Sequence, residues 1–173
     1  MIFIIAFGAV AAGAGLIALI AAYSPHPNSI HPRGPRLVPD GVQMPFEQFQ
    51  ALVIDLLDAL KLEVVHMTAT SAEIDIIVRS SEPLTGGRYL VHAVYDTPGD
   101  VVDQPAVVRL QDSVKADTAA KGILITPYTI ATDGLGNLEV PLELVDGKKL
   151  RGLIEKYLPD RMMQVAKYRG FGL

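Results

Sequence analysis

The stretch from Thr70 to Tyr95, TSAEIDIIVRSSEPLTGGRYLVHAVY, decides the fold. Two runs rich in β-branched and aromatic residues flank a Gly-Gly pair, which is the sequence pattern of a β-hairpin. In the first run apolar and polar residues alternate, so Ile74 and Ile76 share an apolar face and Asp75 lies on the other face. We therefore expect two antiparallel strands that display Asp75 away from the core.

An amphipathic helix is predicted before this hairpin. Pro45 suits the first turn of a helix, and apolar residues then recur every three or four positions as far as Leu60. The helix is expected to end near Lys61, and LEVVHM (residues 62–67) to form a first strand. His66 is expected to lie at the edge of that strand and to have no functional role.

A loop, two strands and two helices are predicted after the hairpin. TPGDVVDQPAV (residues 97–107) has the turn signals of a loop, and Gly122 is expected to end the following helix as its C-cap. The wholly apolar run GILIT is typical of a strand buried on both faces. The predicted elements are helices over 105–119 and 148–157 and strands over 122–126 and 138–145. This order predicts an α/β domain with a mixed sheet covered on both faces.

The first 23 residues form a continuous apolar run without a charged side chain. As a helix, a run of this length spans roughly 34 Å, enough to cross a hydrocarbon core of about 30 Å. The alternative is a signal peptide, but no basic residue precedes the run and it exceeds the usual apolar core of about 7–15 residues. We predict a retained single-pass transmembrane helix over residues 1–23.

Small residues spaced four apart mark one side of this predicted helix, and they allow another helix to approach closely. Basic residues follow the span at Arg33 and Arg36, and none precedes it. The positive-inside rule therefore predicts a protein of the cell inner membrane, with its N-terminus outside and its soluble domain in the cytoplasm. The residues expected to pack against another helix are Gly8, Ala11, Ala12 and Gly15.

The segments on either side of the domain differ in composition. Residues 24–45 hold six of the twelve prolines, so we expect an extended, semi-rigid linker. Its histidines, His26 and His31, lack the further converging donors that a metal site needs. Residues 159–173 form a tail of interspersed basic and apolar side chains. We expect this tail to dock on anionic lipid headgroups or on a partner protein rather than to fray.

Charge and cysteine content limit the function classes. The net charge of −4 gives no overall attraction to nucleic acid. Cysteine is absent, which excludes disulfides and thiolate metal sites and is compatible with a reducing compartment. The sequence has neither a Ser-His-Asp pattern nor an HExxH motif, so a protease is not expected.

Five segments, in this order and with ordinary spacing, resemble the Mrr-type restriction endonuclease domain of the PD-(D/E)xK phosphodiesterase superfamily. They are FEQFQALVIDLLDALKLEVV, EIDIIV, GGRYLVHAVY, KGILIT and LELVDGKKLRGLIE, and the resemblance covers about residues 45–157. It implies a restriction-endonuclease-like α/β fold, a three-layer α-β-α sandwich with a mixed sheet over residues 46–158, behind the transmembrane helix.

The resemblance also implies where a site would lie. In active members of that family an Asp and a Glu or Gln bind a divalent ion, and a Lys two residues later orients or activates the attacking water. Asp75 matches the acid, and Glu47 matches a helix carboxylate of many relatives. The strand that should carry Gln/Glu-x-Lys instead has His92 and Val94 at those positions. His92 can still be a nitrogen ligand, but Val94 can neither donate a proton nor carry a charge.

Lys115 is the candidate for a lysine that has moved to a neighbouring element, although a helix lysine usually faces solvent. Because the lysine of the motif is missing, we expect a dismantled nuclease site: no catalytic residue, no cofactor, no metal and no enzyme activity.

Two functional hypotheses follow. The first is a non-catalytic, membrane-anchored accessory subunit of a larger complex. Its partners would be integral membrane proteins, for example of a respiratory or photosynthetic complex, and lipid, whereas nucleic acid is not expected. The alternative is a membrane-tethered, Mg²⁺- or Mn²⁺-dependent DNA endonuclease that uses Glu47, Asp75, His92 and Lys115. We expect the first, since fold alone does not imply function.

Overall fold

A five-stranded mixed sheet with helices on both faces forms the centre of this computed structural model, which describes residues 42–82, 86–133, 138–168 and Phe171. The predicted transmembrane helix, with Gly8, Ala11, Ala12 and Gly15, lies outside the described residues, as do Arg33 and Arg36. Within the described ranges, no helix is long and apolar enough to span a membrane.

The described elements follow the predicted order with additions. The helices are α1 (Phe46–Ala59), α2 (Gln104–Ala116), α3 (Gly147–Tyr157) and α4 (Pro159–Val165), with a 3₁₀ turn at Pro98–Asp100. The strands are β1 (Glu63–Ala69), β2 (Glu73–Ser80), β3 (Gly87–Val94), β4 (Val101–Val102), β5 (Lys121–Ile125), β6 (Thr129–Ile130) and β7 (Leu142–Val145).

The main sheet has the strand order β1-β2-β3-β5-β7. The first three strands are antiparallel neighbours, which confirms the predicted hairpin, with Asp75 opposite His92. The pairs β3–β5 and β5–β7 are parallel. A parallel neighbour requires a crossover connection, and α2 provides it between β3 and β5. The sheet is therefore mixed, as expected.

Helices α1, α3 and α4 pack on one face of the sheet. The apolar stripe predicted for α1 buries Phe49, Leu52 and Val53 against the inward side chains of β2 and β3. Tyr95, directly after β3, packs on Phe49 with a distance of 5.3 Å between ring centroids. Ile74, Ile76 and Val78 contribute the β2 side of this core.

The opposite face is covered only in part. Helix α2 packs against β3 and β5, and Asp103 caps its first turn by accepting a hydrogen bond from the Ala106 amide at 3.3 Å. The apolar cluster beneath α2 consists of Leu90, Val94, Val102, Ala106, Val107, Leu110, Val114, Leu124 and Ile130. Strand β1 is an edge strand and is almost entirely exposed.

The C-cap predicted for Gly122 is wrong. Helix α2 ends at Ala116, with Asp117 as its C-cap, and Gly122 lies inside β5. A Cβ atom on Gly122 would come within 2.5 Å of Leu142 Cδ2 and 2.8 Å of Val114 Cγ2. The residue is therefore a glycine because α2 crosses closely over the strand, not because a helix ends there.

Two further predictions differ from the structure. The predicted loop over 97–107 contains β4, which pairs with β6 in a separate two-stranded parallel sheet. The strand predicted over 138–145 is limited to β7. Directly after β7, Asp146 is the N-cap of α3 and accepts a hydrogen bond from the Lys149 amide at 2.8 Å.

The C-terminal residues pack on their own domain. Pro159 begins α4, and Phe171 beyond it is fully buried in the same core as α1. The Tyr168 hydroxyl donates a hydrogen bond to Gln48 Oε1 at 2.8 Å, and Arg161 pairs with Asp55 on α1. These residues therefore pack on α1 of the same chain, and the docking of the tail on lipid or on a partner protein stays a prediction.

Candidate active site

A groove opens where α2 leaves the sheet uncovered above β1 and β2. It has a volume of about 360 Å³. Its floor is apolar, and its walls carry polar side chains from three strands and one helix. We call this cavity the open groove and define it by His66, Thr68, Glu73, Asp75, His92, Arg109, Ser113 and Asp117.

Strand register places the polar residues of the sheet side by side. Thr68 of β1 is opposite Asp75 of β2, and Asp75 is opposite His92 of β3. Glu73 precedes Asp75 by two residues and so projects from the same face of β2. Three adjacent strands thus contribute to one patch of the groove wall.

Asp75 and His92 form the tightest polar contact in the open groove. The Nδ1 and Oδ1 atoms are 2.7 Å apart. A carboxylate can only accept, so Nδ1 carries the hydrogen and donates it. The Asp75 side chain is 71% exposed, whereas that of His92 is only 11% exposed. The carboxylate therefore reaches in from solvent and fixes the orientation of a nearly buried ring.

The other ring nitrogen of His92 lacks a hydrogen-bond partner among the described residues, although it is buried. Its nearest charged neighbour is Glu73, with 4.0 Å between Nε2 and Oε2. With the hydrogen on Nδ1, a neutral ring presents the Nε2 lone pair toward this carboxylate. A metal ion between the buried Nε2 lone pair and the Glu73 carboxylate, whose side chain is 41% exposed, would satisfy both atoms.

These two atoms are candidate ligands for one divalent ion. Metal–nitrogen and metal–oxygen distances are each about 2.0–2.2 Å, so the separation of 4.0 Å can be bridged only at a nearly straight N–metal–O angle, and the Glu73 side chain would have to move closer to give a tetrahedral or octahedral angle. A histidine that binds metal through one nitrogen commonly donates its other N–H to a carboxylate, as His92 does to Asp75. No group of three or more acidic or histidine side chains within the described ranges is arranged to hold a metal. Water and substrate oxygens would complete such a site, as is usual for Mg²⁺.

A guanidinium lies on the helix side of the open groove. The Nη2 atom of Arg109 is 4.0 Å from Glu73 Oε1, and the Arg109 side chain is 61% exposed. Glu73 is therefore flanked by His92 on the sheet side and by Arg109 on the helix side.

The other predicted site residues lie apart from this groove. Glu47 lines a different cavity, beside Gln48 on α1 and the C-terminal residues. Lys115 is ion-paired with Glu139, with 2.5 Å between Nζ and Oε2, and does not line the open groove. Val94 is only 3% exposed and packs in the apolar cluster beneath α2. The structure thus brings together Asp75 and His92 of the four sequence candidates.

Two residues of the groove are not marked by any sequence motif. The two-residue period of a strand already places Glu73 beside Asp75. Arg109, Ser113 and Asp117 follow one another at intervals of four, which puts them on one side of α2 and its C-cap. The spacing along β2 would have found Glu73, whereas the spacing along α2 groups Arg109 with Ser113 and Asp117 but does not show that this side of the helix lines the groove.

Comparison with known proteins places the chain in a family. Residues 42–154 match the restriction endonuclease family Mrr_cat, so the chain belongs to that family. Among solved structures, the DNA modification-dependent restriction endonuclease AspBHI is similar, with a TM-score of 0.46 and 16% identity. The similarity covers 63% of this chain and 30% of that one. No curated protein is similar enough to match.

The family membership corrects one expectation. The chain was expected not to be an enzyme, because Val94 replaces the lysine of the motif. That expectation is wrong, because the matched family is one of restriction endonucleases and points to a nuclease. For the question of whether this chain is related to nucleases, a match to the family over residues 42–154 is stronger evidence than a change at one position of the motif.

Proposed function

We propose that this protein is a divalent-metal-dependent phosphodiesterase that cleaves nucleic acid in the open groove. The observation that carries the proposal is the arrangement around His92. Its Nδ1 is held by Asp75, and its buried Nε2 faces Glu73 across 4.0 Å without a hydrogen-bond partner. Membership of a restriction endonuclease family supplies the reaction class.

Each residue has a distinct part in this proposal. His92 and Glu73 would hold the metal ion, and Asp75 keeps the His92 ring in the orientation that exposes Nε2 to it. A bound divalent ion would supply charge neutralisation for the phosphate and a lowered pKa for attacking water. The apolar floor of the groove excludes part of the surrounding water, which strengthens the electrostatic interactions above it.

Without a bound cation, the side chains that line the groove carry a net negative charge. Glu73, Asp75 and Asp117 contribute three carboxylates and Arg109 one guanidinium, and Arg88 outside the lining lies 4.0 Å from Asp117. A nucleic acid would therefore be repelled from the empty groove and bound only in the presence of a divalent ion. A requirement for a divalent ion would explain how a mildly acidic chain can bind a polyanionic substrate. It runs against the expectation that nucleic acid is not a partner.

The test uses the full chain purified in mild detergent. Plasmid DNA is incubated with Mn²⁺ or Mg²⁺, and Mn²⁺ binding is measured separately by electron paramagnetic resonance. We expect cleavage that chelation abolishes, and a loss of saturable Mn²⁺ binding in both Glu73→Gln and His92→Ala. Asp75→Ala should lose about 10–100-fold in metal affinity or activity, since it acts through His92.

Asp58→Asn is the matched control, because Asp58 is an exposed carboxylate on α1, in the layer on the other side of the sheet. It should behave as wild type. The contrary result is that the wild type shows no saturable Mn²⁺ binding. That result, or cleavage that survives in the Glu73→Gln, His92→Ala double variant, contradicts the proposal.

We also propose that residues 1–23 anchor the protein in the inner membrane, with the nuclease domain on the cytoplasmic side. Support comes from the length and apolarity of this segment and from the position of Arg33 and Arg36 after it. Carbonate extraction of native membranes tests the anchor. Recovery of the full-length chain in the soluble fraction would contradict it.

A further inference from the structure

We propose that Arg109 binds the scissile phosphate and supplies the positive charge that Val94 cannot provide. This inference rests on the proposed nuclease function of the open groove. It assigns a residue on α2, outside the strand motif, to substrate binding.

The position of Arg109 is the first argument. Glu73 lies between two cationic or cation-binding groups, with His92 Nε2 4.0 Å from Oε2 and Arg109 Nη2 4.0 Å from Oε1. A phosphate bound above Glu73 would therefore meet the metal site on its sheet side and the guanidinium on its helix side. The two positive centres would share one polyanionic ligand, which is the arrangement that phosphoryl transfer requires.

The availability of Arg109 is the second argument. At 4.0 Å its contact with Glu73 is longer than a hydrogen bond, and the side chain is 61% exposed. An exposed ion pair of this kind contributes little to stability, so exchange of partner is not costly. A guanidinium presents a planar fork of donors that suits bidentate binding of phosphate.

The other basic candidates are poorly placed. Lys115, on the same helix, is held by Glu139 and does not line the groove. A lysine at the place of Val94 would have its stem in the apolar cluster beneath α2. Among the described residues that line the groove, Arg109 is the one arginine, and no lysine is present.

The experiment compares Arg109→Gln and Arg109→Lys with Arg151→Gln in the full chain. Arg151 is a matched control, because it is an arginine on α3 that pairs with Glu155 at 3.1 Å, outside the groove. Three quantities are measured: Mn²⁺ affinity, kcat/KM for cleavage of a labelled 20-base-pair duplex with Mn²⁺, and the salt dependence of binding of that duplex with Ca²⁺.

We expect Arg109→Gln to keep Mn²⁺ affinity within about twofold of wild type and to lose about 10²–10³-fold in kcat/KM, as for other lost oxyanion donors. The slope of log K against log salt should fall by about 0.9, the value for one phosphate contact. Arg109→Lys should recover part of the activity, because it keeps the charge but not the fork. Arg151→Gln should match wild type in all three measurements.

The outcomes separate this inference from the proposed function. If wild type cleaves DNA and Arg109→Gln cleaves equally well with an unchanged salt slope, the role of Arg109 is overturned while the nuclease function stands. If wild type neither binds Mn²⁺ nor cleaves, the nuclease function is overturned and the role of Arg109 with it. A loss of Mn²⁺ affinity in Arg109→Gln would also contradict the inference, since it would place Arg109 in the metal site.

Discussion

The two faces of β2 carry different tasks, although their residues alternate along one strand. On the face toward α1, Ile74, Ile76 and Val78 are buried in the main core. On the face toward α2, Glu73 and Asp75 line the open groove. The first face is covered along its length and the second is left open beside β1, because α2 packs on β3 and β5. Neighbouring residues of β2 therefore have different roles: one points into the core and stabilises the fold, and the next points into the groove.

The largest expected contrast is between Ile74→Ala and Asp75→Ala. Ile74 is 0% exposed, so its truncation removes buried surface and leaves a cavity, at a cost of about 2–5 kcal/mol in the free energy of unfolding. Asp75 is largely exposed, and its truncation should cost less, at the low end of about 1–3 kcal/mol, because the nearly buried Nδ1–H of His92 loses its acceptor. Urea unfolding followed by far-ultraviolet circular dichroism measures both.

The activities of these two variants should change in the opposite order. Folded Ile74→Ala should retain cleavage per folded molecule, whereas Asp75→Ala should lose about 10–100-fold. Equal losses of stability in the two variants would contradict the separation of the two faces. A stable Asp75→Ala that cleaves as wild type would show that the groove face has no chemical role.

The next largest effect concerns the close packing of α2 on β5. Gly122→Ala would place a methyl group within 2.5–2.8 Å of Leu142 and Val114, beneath α2. Overpacking of this kind costs about 1–3 kcal/mol, and we expect α2 to be displaced from β5. Because Arg109 is on α2, cleavage should fall together with stability, and the fall should exceed the unfolded fraction. Unfolding and activity measured at one temperature check this.

Ala120→Gly is the comparison for that experiment. Ala120 directly precedes β5, and this substitution removes a methyl group instead of adding one. Its loss of stability should not be accompanied by a specific loss of activity. If Gly122→Ala is as stable and as active as wild type, the close approach of α2 does not position the groove.

Local periodicity was sufficient to predict the central hairpin and α1 from the sequence. The β2 alternation and the apolar stripe of α1 are short-range patterns, and the structure has both. The error at Gly122 has a different cause. A glycine after a helix suggests a C-cap, but the close contact with Leu142 comes from a strand twenty residues later. Close packing between distant segments leaves no local pattern.

The site was predictable only in part for the same reason. Asp75 matches the acid of the family motif and His92 stands where the motif has Gln or Glu, and the structure places these two side chains 2.7 Å apart. Glu47 and Lys115 were chosen by residue type and motif, but each lines or pairs with another part of the domain. Arg109 enters the groove through the packing of α2 on β3 and β5, and that packing is not encoded by spacing within the helix.

The smallest effect concerns a charged cluster on the covered face of the sheet. Glu143 of β7 accepts a hydrogen bond from Lys121 Nζ at 2.7 Å and pairs with Lys149. The hydrogen bond from Lys121, followed by that from Lys149, lowers the pKa of Glu143 below its ordinary value of 4.5. A lowered pKa in the folded state means that the carboxylate stabilises the fold above pH 4.5. This contribution is lost as the pH falls through the lowered value.

Glu143→Gln should therefore cost no more than about 1 kcal/mol for each exposed pair at pH 7, and nothing at a pH below the lowered pKa. Urea unfolding over a series of pH values from 7 downward measures the difference between wild type and variant. Cleavage should be unchanged, because Glu143 does not line the open groove. A difference of equal size across the whole series would contradict the electrostatic origin. A loss of cleavage would instead mean that charges on the face toward α1 also affect the groove on the opposite face. The separation of stability and chemistry seen at β2 would then not hold for the other strands of the sheet.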